Sequence, residues 1–262
     1  MRRFALLLLM LLSCSQRRGG IIIAGSTSVQ PFIEKIAEHF MEKHPEIKIN
    51  VQGGGSTAGI LATFNRTCDI GTSSRDLRVE EQRLRVVLIA VDGIAVIVHT
   101  KNPITNLSLE QVRGIFSGKI TNWKELGGPE DLIIPVTREE GSGTRASFEK
   151  MIMRDVAISD ACLVQDSNGA VREIIATTPQ GIGYISVGLV DNREQAVAIN
   201  GIKPTPAHLV TGQYRFTRPF LLLFLEEPRG DAKKFLDFVL SEEGQNILKS
   251  DGLIPAREIN AD

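Results

Sequence analysis

Aromatic side chains are scarce in this chain of 262 residues. Phe, Trp and Tyr together make up 5% of it, with 1 Trp and 2 Tyr. So few rings disfavour aromatic platforms for sugars and the stacked sites that hold unpaired bases. The net charge is also small, −1 at pH 7, with 30 basic and 31 acidic side chains. A surface that binds nucleic acid is therefore not expected.

Motifs that carry catalytic or metal chemistry are missing as well. The 4 His residues show no metal-ligand spacing, and no His-Glu-x-x-His, Cys-x-x-Cys or P-loop pattern occurs. No Gly-x-Ser-x-Gly elbow surrounds Ser28, Ser56 or Ser142, and no His lies in their loops. The sequence therefore predicts no metal, no cofactor, no catalytic residue and no enzymatic activity.

The N-terminus has the features of a targeting segment. Two arginines precede an apolar run at residues 4–12, which is short for a membrane span. Leu11-Leu12-Ser13-Cys14 resembles a bacterial lipobox, in which the chain is cut before the cysteine and the cysteine receives a lipid. We expect a signal peptide over residues 1–13, a lipid on Cys14 and a polar tether over residues 14–19. The alternative is a plain signal peptide with an incidental cysteine.

The other two cysteines, Cys68 and Cys162, could form a disulfide after export. A disulfide between them is not expected, because they fall in different lobes of the fold that the resemblance described below implies. We expect two buried thiols instead.

The stretch from Arg138 to Thr144 is the most informative part of the chain. It follows an apolar run at residues 132–136 and precedes apolar residues at helical spacing, which indicates a strand, a tight loop and a helix. Gly141 and Gly143 leave backbone N–H groups uncovered, while Ser142 and Thr144 supply hydroxyl groups. Such a helix start attracts an anion, and Arg138 adds a permanently charged, planar guanidinium.

Similar loops follow three other predicted strands. They are Gly25-Ser26-Thr27-Ser28, Gln52-Gly53-Gly54-Gly55-Ser56 and Cys68-Asp69-Ile70-Gly71-Thr72-Ser73-Ser74-Arg75. An ordinary capped helix start is the alternative for any single loop, but the repetition favours a shared anion site. Strands and helices alternate along the chain, which predicts an α/β fold with mainly parallel sheets. Residues 86–90 and 94–98 are predicted as two strands joined by a turn at Asp92-Gly93.

These four loops, in this order, resemble the PstS-type phosphate-binding proteins of bacterial phosphate ABC transporters. The resemblance covers nearly all of the chain after residue 20. It implies a two-lobed periplasmic-binding-protein fold of type II, in which each lobe is a mainly parallel sheet flanked by helices. Lobe one would comprise residues 20–98 and 219–262, and lobe two residues 99–218. The strands at residues 94–98 and 220–225 would cross between the lobes as hinges, and the ligand would lie in the cleft.

By motif position, the resemblance also implies the residues that bind phosphate: Thr27, Ser28, Ser56, Ser74, Arg138, Ser142, Gly143 and Thr144. The chain departs from the family at Ser74, where well-known members place an Asp that accepts the proton of phosphate. A hydroxyl can accept only weakly and can also donate. Arg75 would add positive charge beside it, Asp69 could serve as another acceptor, and Glu140 would orient Arg138.

The function implied is that of a monomeric, lipid-anchored extracytoplasmic protein that captures inorganic phosphate and delivers it to the permease subunits of an ABC importer. Because Ser74 replaces the family Asp, the same module for sulfate, molybdate or tungstate stays open. A secreted phosphatase is a further alternative from another class, as is a phosphate-sensing or adhesion lipoprotein that has no transporter.

Overall fold

The computed structural model of the protein describes residues 20–259. The predicted signal peptide, the tether and Cys14 lie outside the described residues. Strands and helices alternate over most of this length, so the predicted α/β class is confirmed.

The strands are β1 (Ile21–Gly25), β2 (Ile49–Gln52), β3 (Ile70–Ser73), β4 (Arg85–His99), β5 (Asn106–Leu107), β6 (Ile134–Arg138), β7 (Leu163–Gln165), β8 (Gly181–Ser186), β9 (Glu194–Ala196), β10 (Ala198–Ile199), β11 (Thr217–Phe224) and β12 (Ile254–Pro255).

The α-helices are α1 (Gln30–Lys43), α2 (Ser56–Phe64), α3 (Leu109–Phe116), α4 (Gly143–Phe148), α5 (Asn168–Thr177), α6 (Pro206–Val210), α7 (Gly230–Leu240), α8 (Glu242–Ser250) and α9 (Ala256–Ile259). A π-helical segment, Glu149–Met153, directly continues α4.

One sheet runs through the whole molecule in the order β2-β1-β3-β11-β4-β8-β6-β7. Parallel pairs occupy its two ends, where β1 pairs with β2 and β3, and β6 pairs with β7 and β8. The central strands β11 and β4 run antiparallel to their neighbours. The parallel pairing expected in each lobe is therefore limited to the outer strands, because the chain crosses between the lobes through the middle of the sheet.

Among the described residues, two large hydrophobic cores lie on either side of these central strands, and a smaller cluster surrounds Leu221 and Leu223 of β11. In the first, α1 and α7 cover β1 and β11, and the rings of Phe40 and Phe235 meet edge to face at 5.4 Å. In the second, the rings of Phe148 and Tyr184 stack at 3.8 Å. Each core buries its own set of apolar side chains, as expected for a protein of two lobes.

The predicted turn at Asp92-Gly93 is wrong, because β4 continues through both residues as a single strand. The first half of β4 pairs with β11 and the second half with β8. Asp92 stays within the strand because its buried carboxylate has the guanidinium of Arg218 as an ion-pair partner. Two side chains, of Leu209 and Val187, pack over Gly93 where a Cβ would otherwise stand.

Cys68 and Cys162 are both buried and unpaired. The prediction of two buried thiols is confirmed. Burial raises the pKa of the Cys162 thiol to about 11, which keeps it protonated at neutral pH. Among residues 20–259, no helix combines the length and the apolar character that crossing a membrane requires.

Candidate anion-binding site

Three loops of the first lobe converge because the carboxyl ends of β1 and β3 lie side by side. The hydroxyl of Ser26, just after β1, donates to Ser74 Oγ at 2.8 Å. The backbone N–H of Ser74, just after β3, donates to Ser56 Oγ at 3.0 Å. Ser56 is the first residue of α2. Buried hydroxyl groups from the loops at residues 25–28, 52–56 and 68–75 therefore form one cluster.

The Arg138–Thr144 loop of the second lobe closes over this cluster. Ser28 Oγ and Thr144 Oγ1 lie 2.7 Å apart, and the backbone N–H of Thr57 donates to Gly141 O at 3.1 Å. A Cβ on Gly143 would lie 2.2 Å from Ser56 Oγ, far inside van der Waals contact. The lobes are thus closed on each other, and only a glycine fits where they meet.

Arg138 is 1% exposed at the end of β6. Its Nη2 donates to Thr27 Oγ1 at 3.1 Å and to the backbone carbonyl of Asp166 at 2.9 Å. Its Nη1 is buried and has no hydrogen-bond partner among the described residues. A buried guanidinium N–H without a partner is costly, so this donor is available to an anion in the cluster.

The carboxylate that orients Arg138 belongs to Glu139, not to Glu140 as the sequence predicted. Both oxygens of Glu139 accept from Arg138, at 3.0 Å each. Glu140 is exposed and lies in the turn that follows β6. The sequence motif could not fix which of the two glutamates faces the arginine.

Arg75 and Asp69 also differ from expectation. Arg75 forms a buried two-pronged ion pair with Glu81, at 2.7 and 2.8 Å. Its charge is therefore compensated locally. Asp69 precedes β3, at the end of the strand opposite to Ser74, and its carboxylate accepts from the N–H of Ile22 at 2.8 Å. Asp69 is too far along the strand to accept a proton from a ligand at Ser74.

Three further residues of the site escaped the sequence analysis. Arg218 on β11 donates through Nη1 to Thr144 Oγ1 at 2.8 Å, and through Nε to Asp92 Oδ2 at 3.0 Å. Asn168, at the start of α5, donates to Ser28 Oγ at 2.9 Å. The available signal was a charged residue between or beside long apolar runs, Asp92 in β4 and Arg218 in β11, since a buried charge is unusual without a partner.

Burial dominates the electrostatics of the Asp92–Arg218 pair. It raises the pKa of the Asp92 carboxyl, against the opposing effects of the nearby guanidinium and of the Ser186 hydroxyl. It lowers the pKa of Arg218, which the Asp92 charge opposes. The 2.9 Å approach of Arg218 Nη2 to Asp92 Oδ2 is that of an ion pair, and we take both groups as charged.

The arrangement gathers hydroxyl groups and two guanidinium groups around one buried point. None of the site's hydroxyl hydrogen bonds described above involves a His, so a serine–base pair is not formed there. Within the described part of the chain, no group of three or more His, Cys, Asp or Glu side chains could hold a metal ion. Hydroxyl and guanidinium donors gathered in this way suit the binding of a small oxyanion.

Comparison with known proteins agrees with the fold. A family model described as the PBP superfamily domain matches residues 14–243. The phosphate-binding protein PstS of Bacillus subtilis is 36% identical over 249 residues, which span 92% of this chain and 82% of that protein. A protein from Clostridium perfringens, described as a candidate phosphate ABC transporter substrate-binding protein and solved with bound phosphate, is 40% identical. Its structure superposes with a TM-score of 0.87, over 90% of this chain and 99% of that one.

An ABC-type phosphate transport receptor from Vibrio cholerae is 37% identical, with a TM-score of 0.72, over 89% of this chain and 99% of that one. The chain therefore belongs to the PBP superfamily and, within it, to the family of the PstS phosphate-binding proteins. The two-lobed fold expected from the sequence resemblance is confirmed.

Proposed function

We propose that the protein binds inorganic phosphate outside the cytoplasm and delivers it to the permease subunits of an ABC importer. The observation that carries the proposal is the buried Nη1 of Arg138, a charged donor without a partner inside a cluster of hydroxyl groups. The relatives named for phosphate binding or phosphate transport support the choice of anion.

The proposed ligands are the eight residues that the sequence predicted: Thr27, Ser28, Ser56, Ser74, Arg138, Ser142, Gly143 and Thr144. All of these except Thr27 are buried, and they come from both lobes. The Ser142 hydroxyl already accepts from the N–H of Arg145 at 3.2 Å as the cap of α4. Its remaining proton is available to an anion. Backbone N–H groups at the starts of α1 and α2 add the positive ends of two helices.

The test is a calorimetric titration of the full chain, purified in detergent and dialysed free of phosphate. We expect saturable binding of one phosphate per chain, with a smaller apparent size in solution scattering when the lobes close. Absence of binding heat with phosphate, in a protein that unfolds cooperatively, would contradict the proposal.

Sulfate, molybdate and tungstate form the second group of candidate ligands, and Ser74 is the observation that favours them. The carboxylate that selects for a protonated anion is absent at this position. Titrating these anions beside phosphate, under the same conditions, separates the candidates by affinity.

We further propose that the protein acts as a binding protein and not as a phosphatase. Incubation with a chromogenic phosphate ester should release no product above the rate in buffer. Turnover that disappears in an Arg138→Ala variant would contradict this assignment.

The lipid anchor, the membrane location, the oligomeric state and the bounds of the lobes are proposals as well. We propose a lipid on Cys14, a membrane location set by that lipid, and a monomer in solution. We propose lobe one at residues 20–98 and 219–262 and lobe two at residues 99–218. Mass spectrometry of the chain expressed in a bacterial host would detect the lipid, and a Cys14→Ser variant should lack it.

A further inference from the structure

We infer that Arg218 is a second anion-binding guanidinium, and that the site it completes selects the dianionic form of phosphate. The inference rests on the proposed phosphate binding. It adds Arg218 to the proposed ligands and specifies that the bound phosphate is the dianion. Neither follows from the four sequence loops, because Arg218 lies outside all of them.

The position of Arg218 places its charge at the centre of the site. It lies on β11 directly opposite Asp92 on β4, the two strands that cross the middle of the sheet. Its side chain is 1% exposed. Nη1 reaches Thr144 Oγ1 of one lobe at 2.8 Å and Ser74 Oγ of the other at 3.3 Å. An anion that contacts both hydroxyl groups therefore lies within reach of this guanidinium.

The same contacts turn Ser74 into a donor. Its Oγ accepts from the hydroxyl of Ser26 at 2.8 Å and from Arg218 Nη1 at 3.3 Å. A hydroxyl oxygen has two lone pairs and one proton, so both lone pairs are occupied. The remaining proton of Ser74 faces Ser56 Oγ at a long 3.4 Å and is free to turn to an anion. Ser74 therefore cannot accept the proton of a ligand as an Asp would.

The nearby carboxylates are engaged as well. Asp92 Oδ1 accepts from the hydroxyl of Ser186 at 2.8 Å, and Oδ2 accepts from Arg218 Nε at 3.0 Å. Both oxygens of Glu139 accept from Arg138. The groups left to face the anion are donors, and each proton on the anion would meet a donor instead of an acceptor. H2PO4⁻ carries two such protons, whereas HPO4²⁻ carries one and has the larger attraction to two guanidinium groups.

The charged and titratable groups around Arg218 come from several elements. Asp92 on β4 pairs with it, while Arg138 on β6 and Tyr184 on β8 face it from the second lobe. Glu139, whose side chain is partly exposed, forms an ion pair with Arg138. Burial raises the pKa of Tyr184, which keeps that phenol protonated. Sulfate keeps its two charges across the neutral range, so sulfate binding would report any titration of these protein groups.

The experiment measures phosphate and sulfate affinity of the full chain at several pH values on both sides of the second ionisation of phosphate. If only the dianion binds, the apparent affinity for phosphate falls about tenfold for each pH unit below that ionisation, because the competent fraction falls by that factor. We expect this slope for phosphate, and a constant affinity for sulfate.

A paired variant tests Arg218 itself. Changing Arg218→Gln together with Asp92→Asn removes both charges, so that no unpaired charge stays buried. We expect phosphate affinity at high pH to fall by about tenfold or more. The difference in affinity between high and low pH should also shrink. The matched control is Arg172→Gln with Glu194→Gln, an ion pair of the second lobe at 2.9 Å in which Glu194 is buried and Arg172 partly buried; this variant should leave both quantities unchanged.

Phosphate affinity that does not change with pH would overturn the charge-state assignment, as would equal losses for phosphate and sulfate at low pH. Unchanged phosphate affinity in the Arg218–Asp92 variant, with cooperative unfolding retained, would overturn the role of Arg218. Failure of phosphate to bind at every pH is a different result, because it would overturn the proposed function and this inference with it.

Discussion

Replacing Gly143 by Ala tests directly whether the closed arrangement of the lobes is the state that binds the ligand. A Cβ at this position would lie 2.2 Å from Ser56 Oγ and 2.6 Å from Ser74 Oγ, both on the opposite lobe. If the two hydroxyl groups turned aside, the hydrogen bond from Ser74 N–H to Ser56 Oγ would be lost and Ser56 Cβ would still lie at 3.0 Å, inside ordinary contact. The closed arrangement is therefore penalised at this point. The backbone N–H of residue 143 would be unchanged.

The cost of such overpacking is about 1–3 kcal/mol. In an open form, the two serines move away from residue 143, so the penalty falls on the closed form alone. We therefore expect phosphate affinity to fall by about 5- to 150-fold, while the thermal unfolding temperature of the ligand-free protein stays close to that of the wild type.

Gly141→Ala is the matched control for this experiment. It lies in the same loop, and its Cβ would meet only Thr57 Cβ, at an ordinary 3.7 Å. Calorimetric titration should give wild-type affinity for this variant, and solution scattering should show that it still closes. If Gly143→Ala binds phosphate as the wild type does and becomes equally compact with ligand, the closed contact is not part of the bound state.

Three further predictions concern single side chains. Arg138→Ala should weaken phosphate binding by about tenfold or more, since truncating a buried charged partner costs roughly 2–5 kcal/mol; a folded variant with wild-type calorimetric affinity would contradict the role of Arg138. Ser74→Asp should suppress sulfate binding far more than phosphate binding in a competition titration, because a carboxylate repels an anion that has no proton to donate; equal losses would argue against Ser74 as the selecting position. The hydrogen bond from Arg75 lowers the pKa of Glu81, so their pair stabilises the fold above the ordinary Glu pKa and loses this effect as pH falls through the lowered value. In urea unfolding, the wild type should have a larger free energy of unfolding than Glu81→Gln at neutral pH, and this difference should narrow in acid. A difference independent of pH would contradict the stabilising role of the Arg75–Glu81 pair.

The loops of the site could be predicted from sequence because their signal is local. A short apolar strand, a glycine with a hydroxyl residue and an amphipathic helix follow each other within a few positions. Ser28, Ser56 and Thr144 are buried together for this reason, although they are far apart along the chain. The parallel strands β1 and β3 bring the loops of Ser28 and Ser74 to one edge of the sheet. β6 runs in the opposite direction, because β11 and β4 pair antiparallel with their neighbours, so the Thr144 loop meets the other loops from the second lobe.

The Asp92–Arg218 pair could not be predicted in the same way. The two residues are separated by 126 positions and meet only because β4 and β11 pair antiparallel. An Asp-Gly dipeptide between apolar runs indicates a turn by local rules, and tertiary pairing overrode that rule. The prediction that Glu140 orients Arg138 was also wrong, since the partner depends on the local direction of one loop.

The place of β11 within the sheet has a consequence for the order in which the molecule can assemble. β11 lies between β3 and β4 and is hydrogen-bonded to both. The first lobe therefore lacks a central strand until the chain has been made through residue 224, whereas β6, β7 and β8 of the second lobe lie close together in sequence. Contacts of long sequence separation form slowly because a long loop must close first. We expect the second lobe to fold early, and the edges of β3 and β4 to stay open to other strands until β11 is inserted between them.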